Sequence, residues 1–134
     1  MRVLALDYGS ARCGCALSDA TGTLATPIDV VARPGTRKGI GAIAGLVRAR
    51  AVQRVVVGLP VTLSGHDSEQ TREARDFAER LRGLVAVPVD LYDERFTTTI
   101  AARSGGSRTS EDSRAAAILL EDYLARHAAE VRDA

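Results

Sequence analysis

At 134 residues, with 46% hydrophobic and 26% charged residues, the chain has the make-up of one globular domain, too short for two good cores. A formal net charge of +1 excludes a global field that would draw the whole surface to nucleic acid or membrane, so any polyanion site must be a local patch. The two cysteines, Cys13 and Cys15, lie two apart on a predicted strand and share a face; they are read as buried free thiols of a reducing compartment rather than metal ligands.

Taken in order, Arg2–Tyr8 is mostly apolar, as a buried central strand should be. Tyr8–Arg12 reads as a turn and Cys13–Ser18 as a second strand. Asp19–Gly22 is a turn signal, and Leu24–Val31 is a third strand in which Pro27 implies a bulge or an edge position. After the break at Arg33–Thr36, the apolar residues Ile40, Ile43, Ala44, Leu46 and Val47 repeat at helical spacing to about Ala51, weakened by Gly39, Gly41 and Gly45. The β-branched run Arg54–Gly58 predicts a buried strand, and residues 61–67 a polar loop. Asp67 with Gln70 predicts a capped helix whose inner face carries Ala74, Phe77, Ala78 and Leu81, with Gly83 as its stop. A fifth strand is expected over Val85–Tyr92, a short helix over Thr97–Arg103, a flexible loop from Ser104, and a last helix capped by Ser110 that runs to about Glu130.

Three short strands joined by tight turns, then helix–strand alternation, predict an α/β fold. A five-stranded mixed sheet is expected, an antiparallel meander followed by parallel strands, with helices on its faces. Residues 1–130 are read as a single domain and 131–134 as a frayed tail. Met1-Arg2 leads straight into a strand with no secretory signal, and no segment reaches the length of a membrane span, so a cytoplasmic location without membrane contact is expected.

The chemistry-bearing residues are acids at element ends. Asp7 closes the first strand, where α/β sheets place ligands. Gly9 beside it lets a phosphate come close, and the Ser10 hydroxyl can donate to it. Asp112 lies in the first turn of the last helix. Helical steps from it reach Ala116, Leu119, Leu120 and Tyr123, so it heads the buried stripe, while Glu111 is rotated off it. Asp93 and Glu94 follow the fifth strand on opposite faces, and periodicity alone does not choose between them. Carboxylates that converge cannot all stay ionised without a cation, and a Mg²⁺ or Mn²⁺ ion with oxygen ligands resolves that. Arg12 and Arg95 flank Asp7 and Glu94 in sequence. Arginine suits phosphate, and Lys38 is the sole lysine among 18 basic residues.

Several stretches together resemble the YqgF-type family, RNase H-like nucleases described as processing pre-16S rRNA and as candidate Holliday junction resolvases. These are Leu4–Ser10 with Arg12 and Gly14, Ala16–Asp19, Val56–Pro60, Phe77–Leu81, Asp93–Thr98, and Asp112 followed by Ala115-Ala116, Ile118–Leu120 and Tyr123-Leu124. The resemblance covers nearly the whole chain. It implies an RNase H-like fold and a metal-dependent nuclease in which Asp7, Glu94 and Asp112 are both the catalytic acids and the metal ligands, so the choice at 93/94 is made by similarity. Gly9, Ser10, Arg12, Arg95 and Arg108 are the expected substrate contacts.

One departure is a short interval of 18 positions between Glu94 and Asp112, where family members usually carry a longer basic segment; here it holds Gly105, Gly106, Arg103 and Arg108. The expected substrate is structured RNA, most of all precursor 16S rRNA, with branched DNA as the alternative, and a homodimer would suit a symmetric junction. Asp-x-Gly-Ser after a first strand also resembles the phosphate loop of the actin and sugar-kinase fold. That fold needs a second lobe for which the chain is too short. A catalytically silent nucleic-acid-binding module is the remaining alternative.

Overall fold

The computed structural model describes residues 1–59, 68–93 and 108–132; for 108–112 and 132 it describes the backbone course only. The strands are β1 (Val3–Asp7), β2 (Arg12–Ser18), β3 (Ala25–Ala32), β4 (Arg54–Leu59) and β5 (Val89–Asp93). The helices are α1 (Arg37–Ala49), α2 (Glu69–Arg82), α3 (Arg108–Arg126) and a short α4 (Ala128–Arg132). The five strands form one sheet in the order β3-β2-β1-β4-β5. β1, β2 and β3 pair antiparallel, and β4 and β5 are added parallel to β1. This is the mixed sheet expected from the sequence.

Helices cover both faces. Leu4, Leu6, Cys13, Cys15, Leu17, Val55, Val57 and Val89 point to the side of α1 and α2, where Phe77, Leu81 and Ile43 fill a core. Val3, Ala5, Ala16, Val56 and Tyr92 point to the other side, beneath Ala116, Leu119, Leu120, Tyr123 and Leu124 of α3. The small residues Ala5, Ala16 and Ala116 let α3 lie close to the strands. Cys13 and Cys15 are buried free thiols, as read from their spacing.

Pro27 satisfies both expectations made for it. β3 is an edge strand, and its register slips by one residue between the Gly14–Val30 and Ala16–Pro27 pairs. Several other expectations change. α1 begins three residues before Ile40, because the Thr36 side chain accepts from the Gly39 amide and caps it. The cap of α2 is Ser68 rather than Asp67: its hydroxyl accepts from the Thr71 amide at 3.1 Å. β5 begins at Val89, not Val85. Pro88 has no amide to give a ladder, its carbonyl accepts from Val55, and Val85 and Val87 pack on the α2 side as a descending loop. α3 starts at Arg108, so Ser110 lies inside its first turn instead of capping it. The last helix breaks at His127 into α3 and α4.

The tail is not frayed at Val131. That side chain is fully buried, and its carbonyl accepts from the Met1 ammonium at 2.9 Å. The helix expected over 97–103, the loop from Ser104, and the 61–67 loop with Asp67 lie outside the described residues. Among the described residues, no helix is long and apolar enough to cross a membrane.

Candidate metal and nucleic-acid site

Strand alternation now has faces attached to it. Asp7 follows Val3 and Ala5, so it lies on the face that α3 covers; it is half-buried and opposite Gly14 of β2. On β5, Val89 and Leu91 pack on the α1/α2 side, while Tyr92 packs against α3. Asp93 therefore alternates onto the face away from Asp7. Glu94 lies outside the described residues, so the structure speaks to Asp93 alone.

The direction of α3 follows from its far end. The Arg54 guanidinium, at the start of β4 and opposite Val3, donates to the Tyr123 hydroxyl at 2.9 Å. Tyr123 also lies 3.3 Å from Asp90 at the start of β5. From there α3 runs back over β1, β2 and β3. The stripe expected below Asp112 is as read: Ala116, Leu119, Leu120 and Tyr123 are all buried. Ser113, next to Asp112, is a buried polar residue that the helical stripe did not single out. The side chains of Asp112 and Arg108 are not described, and Glu94 and Arg95 lie outside the described residues. Among the described residues there is no cluster of three His, Cys, Asp or Glu side chains able to hold a metal.

The β1–β2 turn brings the other expected contacts to the end of β1. A Cβ on Gly9 would stand 2.8 Å from the Arg12 carbonyl oxygen, so the turn itself requires a glycine there. Ser10 is exposed and lines a depression of about 410 Å³ with Tyr8, Ala11, Arg33, Gly35 and Glu73. Arg12 is half-buried at the first position of β2. Tyr8, read as part of the turn, is in the core: its ring lies 4.8 Å from that of Phe77. Burial, and then the Glu73 carboxylate, push the Tyr8 phenol above its ordinary ionisation range.

A polar network joins the C-terminal half of α3 to β4 and β5; it runs from Arg54 at the start of β4 to Tyr92, which the register places level with Asp7. Arg54 meets Glu130 at 2.9 Å as well as Tyr123, which raises the Arg54 pKa and lowers that of Glu130. Tyr92 donates to Asp122, which also accepts from Arg126 at 3.0 Å. Burial first, and then that bond to Asp122, raise the Tyr92 pKa strongly. His127 stacks on Tyr123 with ring centres 4.2 Å apart.

A family model described as "RuvX: Holliday junction resolvase" matches residues 1–126. A protein of Chloroflexus aurantiacus named "Putative pre-16S rRNA nuclease" is 38% identical over 130 residues, covering 91% of this chain and 85% of its own. A protein of the same name from Anaeromyxobacter dehalogenans is 37% identical over 136 residues, covering 96% of this chain and 99% of its own. The solved structure of Thermus thermophilus RuvC superposes with a TM-score of 0.59 at 16% identity over 96% of this chain and 97% of that one, a likeness of fold alone. The fold is thus RNase H-like, and the chain belongs to the RuvX family that its motifs resembled.

Proposed function

We propose that this protein is a metal-dependent nuclease that hydrolyses phosphodiester bonds in structured RNA, with precursor 16S rRNA as its substrate in ribosome biogenesis. The observation that carries the reading is the placement of Asp7 at the end of β1, on the face of an RNase H-like sheet that α3 covers. Family membership and relatives named as nucleases support it. Asp7, Glu94 and Asp112 would hold Mg²⁺ or Mn²⁺. An all-carboxylate donor set suits such hard cations. Such an ion lowers the pKa of a bound water and stabilises negative charge on a phosphoryl group. The chain's own residues orient the substrate: the Ser10 hydroxyl donates to a phosphate oxygen, and Arg12, Arg95 and Arg108 supply charge at the rim.

The nuclease is read as one domain over 1–130, working in the cytoplasm. A second reading, hydrolysis at four-way DNA junctions by a homodimer, is favoured by the description of the matching family. Labelled precursor RNA hairpins and four-way DNA junctions, incubated side by side with Mg²⁺ or Mn²⁺, decide between the substrates. Metal-dependent cleavage of RNA that Asp7→Asn removes is the expected result; cleavage of neither substrate, or an Asp7→Asn variant at the native rate, overturns the reading.

A further inference from the structure

We propose that the segment Arg33–Lys38, which carries the first turn of α1, is a second phosphate-contact surface holding the nucleic-acid strand that flanks the scissile phosphate. The inference rests on the nuclease reading above for the position of that phosphate.

The segment is fixed against the β1–β2 turn, on the α1 side of the sheet. The Arg33 amide donates to the Ala11 carbonyl of the β1–β2 turn at 2.9 Å, and Arg12 pairs with Ala32. Arg33 thus stands two strands across the sheet from β1, about 10 Å, and about 10 Å beyond the level of Asp7. The separation of about 14 Å in the plane of the sheet spans a few phosphates along a strand. The backbone is held rigidly: Thr36 caps α1, the Arg80 guanidinium donates to the Gly35 carbonyl at 2.7 Å, and Gly39 nests under Arg33 and Pro34.

The charge on the segment has no use within the fold. Arg33, Arg37 and Lys38 are exposed, and their side chains make no hydrogen bond or ion pair among the described residues. Arg54, Arg82 and Arg126, by contrast, are paired. Arg37 and Lys38 occupy the first turn of α1, which has no acid. Cations there oppose the helix macrodipole, so the sequence breaks a local rule at this point without a gain in packing. The patch borders a groove of about 700 Å³ between β3 and α1, lined by Val31, Arg33, Lys38 and Leu46. Two acids limit it, Asp29 in that groove and Glu73 in the neighbouring depression. Between them, Ser10, Arg33, Arg37 and Lys38 offer a polyanion a run of donors and positive charge.

The test is equilibrium binding in EDTA, where cleavage cannot occur, of a labelled RNA hairpin with single-stranded flanks and of a four-way DNA junction. The native full-length chain is compared with the double variant Arg37→Ala/Lys38→Ala. A second double variant, Arg48→Ala/Arg50→Ala, removes two exposed cations from the other end of the same helix. The first is expected to weaken binding about tenfold and to make the slope of log K against log salt shallower by about 1.4–1.8, as for two lost phosphate contacts. The second should leave the slope as in the native chain. Equal loss in both variants, or an unchanged slope in the first, overturns the proposal and leaves the nuclease reading standing. No binding of either probe by the native chain overturns both. Loss of binding to an acidic protein partner with nucleic-acid binding intact would assign the patch to that partner instead.

Discussion

Two regions treat charge in opposite ways: the scaffold end, where the C-terminal turns of α3 meet β4 and β5, and the site end, where the β1–β2 turn meets the start of α1. At the scaffold end, Tyr123, Asp122 and Arg126 join Arg54, Asp90, Tyr92 and Glu130, so each charged group there faces one of opposite sign. At the site end, Arg33, Arg37 and Lys38 are exposed and their side chains make no hydrogen bond or ion pair among the described residues. The contrast teaches where to look for function in a chain of net charge +1.

The sharpest way to break this division is to remove an acid from the site end. Asp7→Asn, Glu94→Gln and Asp112→Asn should each lower cleavage by more than about 100-fold, beyond the 10–100-fold typical of a metal's outer partners. Asp93→Asn should be much milder, since Asp93 alternates onto the other face. Single-turnover rates at fixed metal check this, and equal loss at Asp93 would mean the wrong carboxylate of the pair was chosen. Arg54→Met is the counterpart at the scaffold end. It should cost about 2 kcal/mol, discounted for its partly exposed partners, and lower Tm by on the order of 5 °C with cleavage per folded molecule retained. A fall in cleavage at full folding would show that the two ends are coupled.

Smaller effects test how the site end is held. A Cβ on Gly39 would stand 2.1 Å from the Arg33 carbonyl, so Gly39→Ala should cost about 1–2 kcal/mol and displace the Arg33–Thr36 segment. Gly41 faces open space, and Gly41→Ala should stabilise by about 0.5–1 kcal/mol, with both glycine variants measured by urea titration.

The β2–β3 turn offers the mildest perturbation. The Asp19 carboxylate accepts from the Thr21 hydroxyl at 2.6 Å and the Thr23 amide at 2.9 Å, which hold its pKa down to about 2. Because the folded value lies below the unfolded one, its contribution is complete above pH of about 4 and is lost as pH falls through about 2. Asp19→Ala should therefore lower Tm slightly at pH 7, and the difference should shrink steadily as pH is lowered from about 4 towards 2. A pH-independent difference would put the effect in backbone propensity instead.

Most of the sheet was legible because its signals are local. Val3–Leu6 and Val55–Val57 are apolar on both faces, as central strands must be, and Pro27 marked the edge. What failed depended on partners far away in sequence. Val85–Val87 is as apolar as a strand but packs as a loop, since Pro88 cannot give a ladder amide. Ser68 and Asp67 are equally good caps on paper, and only the hydroxyl's bond to Thr71 separates them. The face of Asp93 required knowing that Tyr92 packs beneath α3 while Leu91 packs on the other side. The three basic residues at 33–38 carry no motif; their meaning comes from the Arg33–Ala11 bond that folds them against the β1–β2 turn.

The position of α3 has a consequence for synthesis. The meander β1–β3 is complete once about residue 32 is made, yet the face bearing Val3, Ala5 and Ala16 is covered by residues 116–131. At roughly 5–20 residues per second, that face waits on the order of 4–17 s on the nascent chain for its cover. Two of the three residues waiting there are alanines, so the bare surface offers little to a neighbouring nascent chain. Small side chains that let α3 approach closely in the finished protein thus also keep the half-made one from sticking.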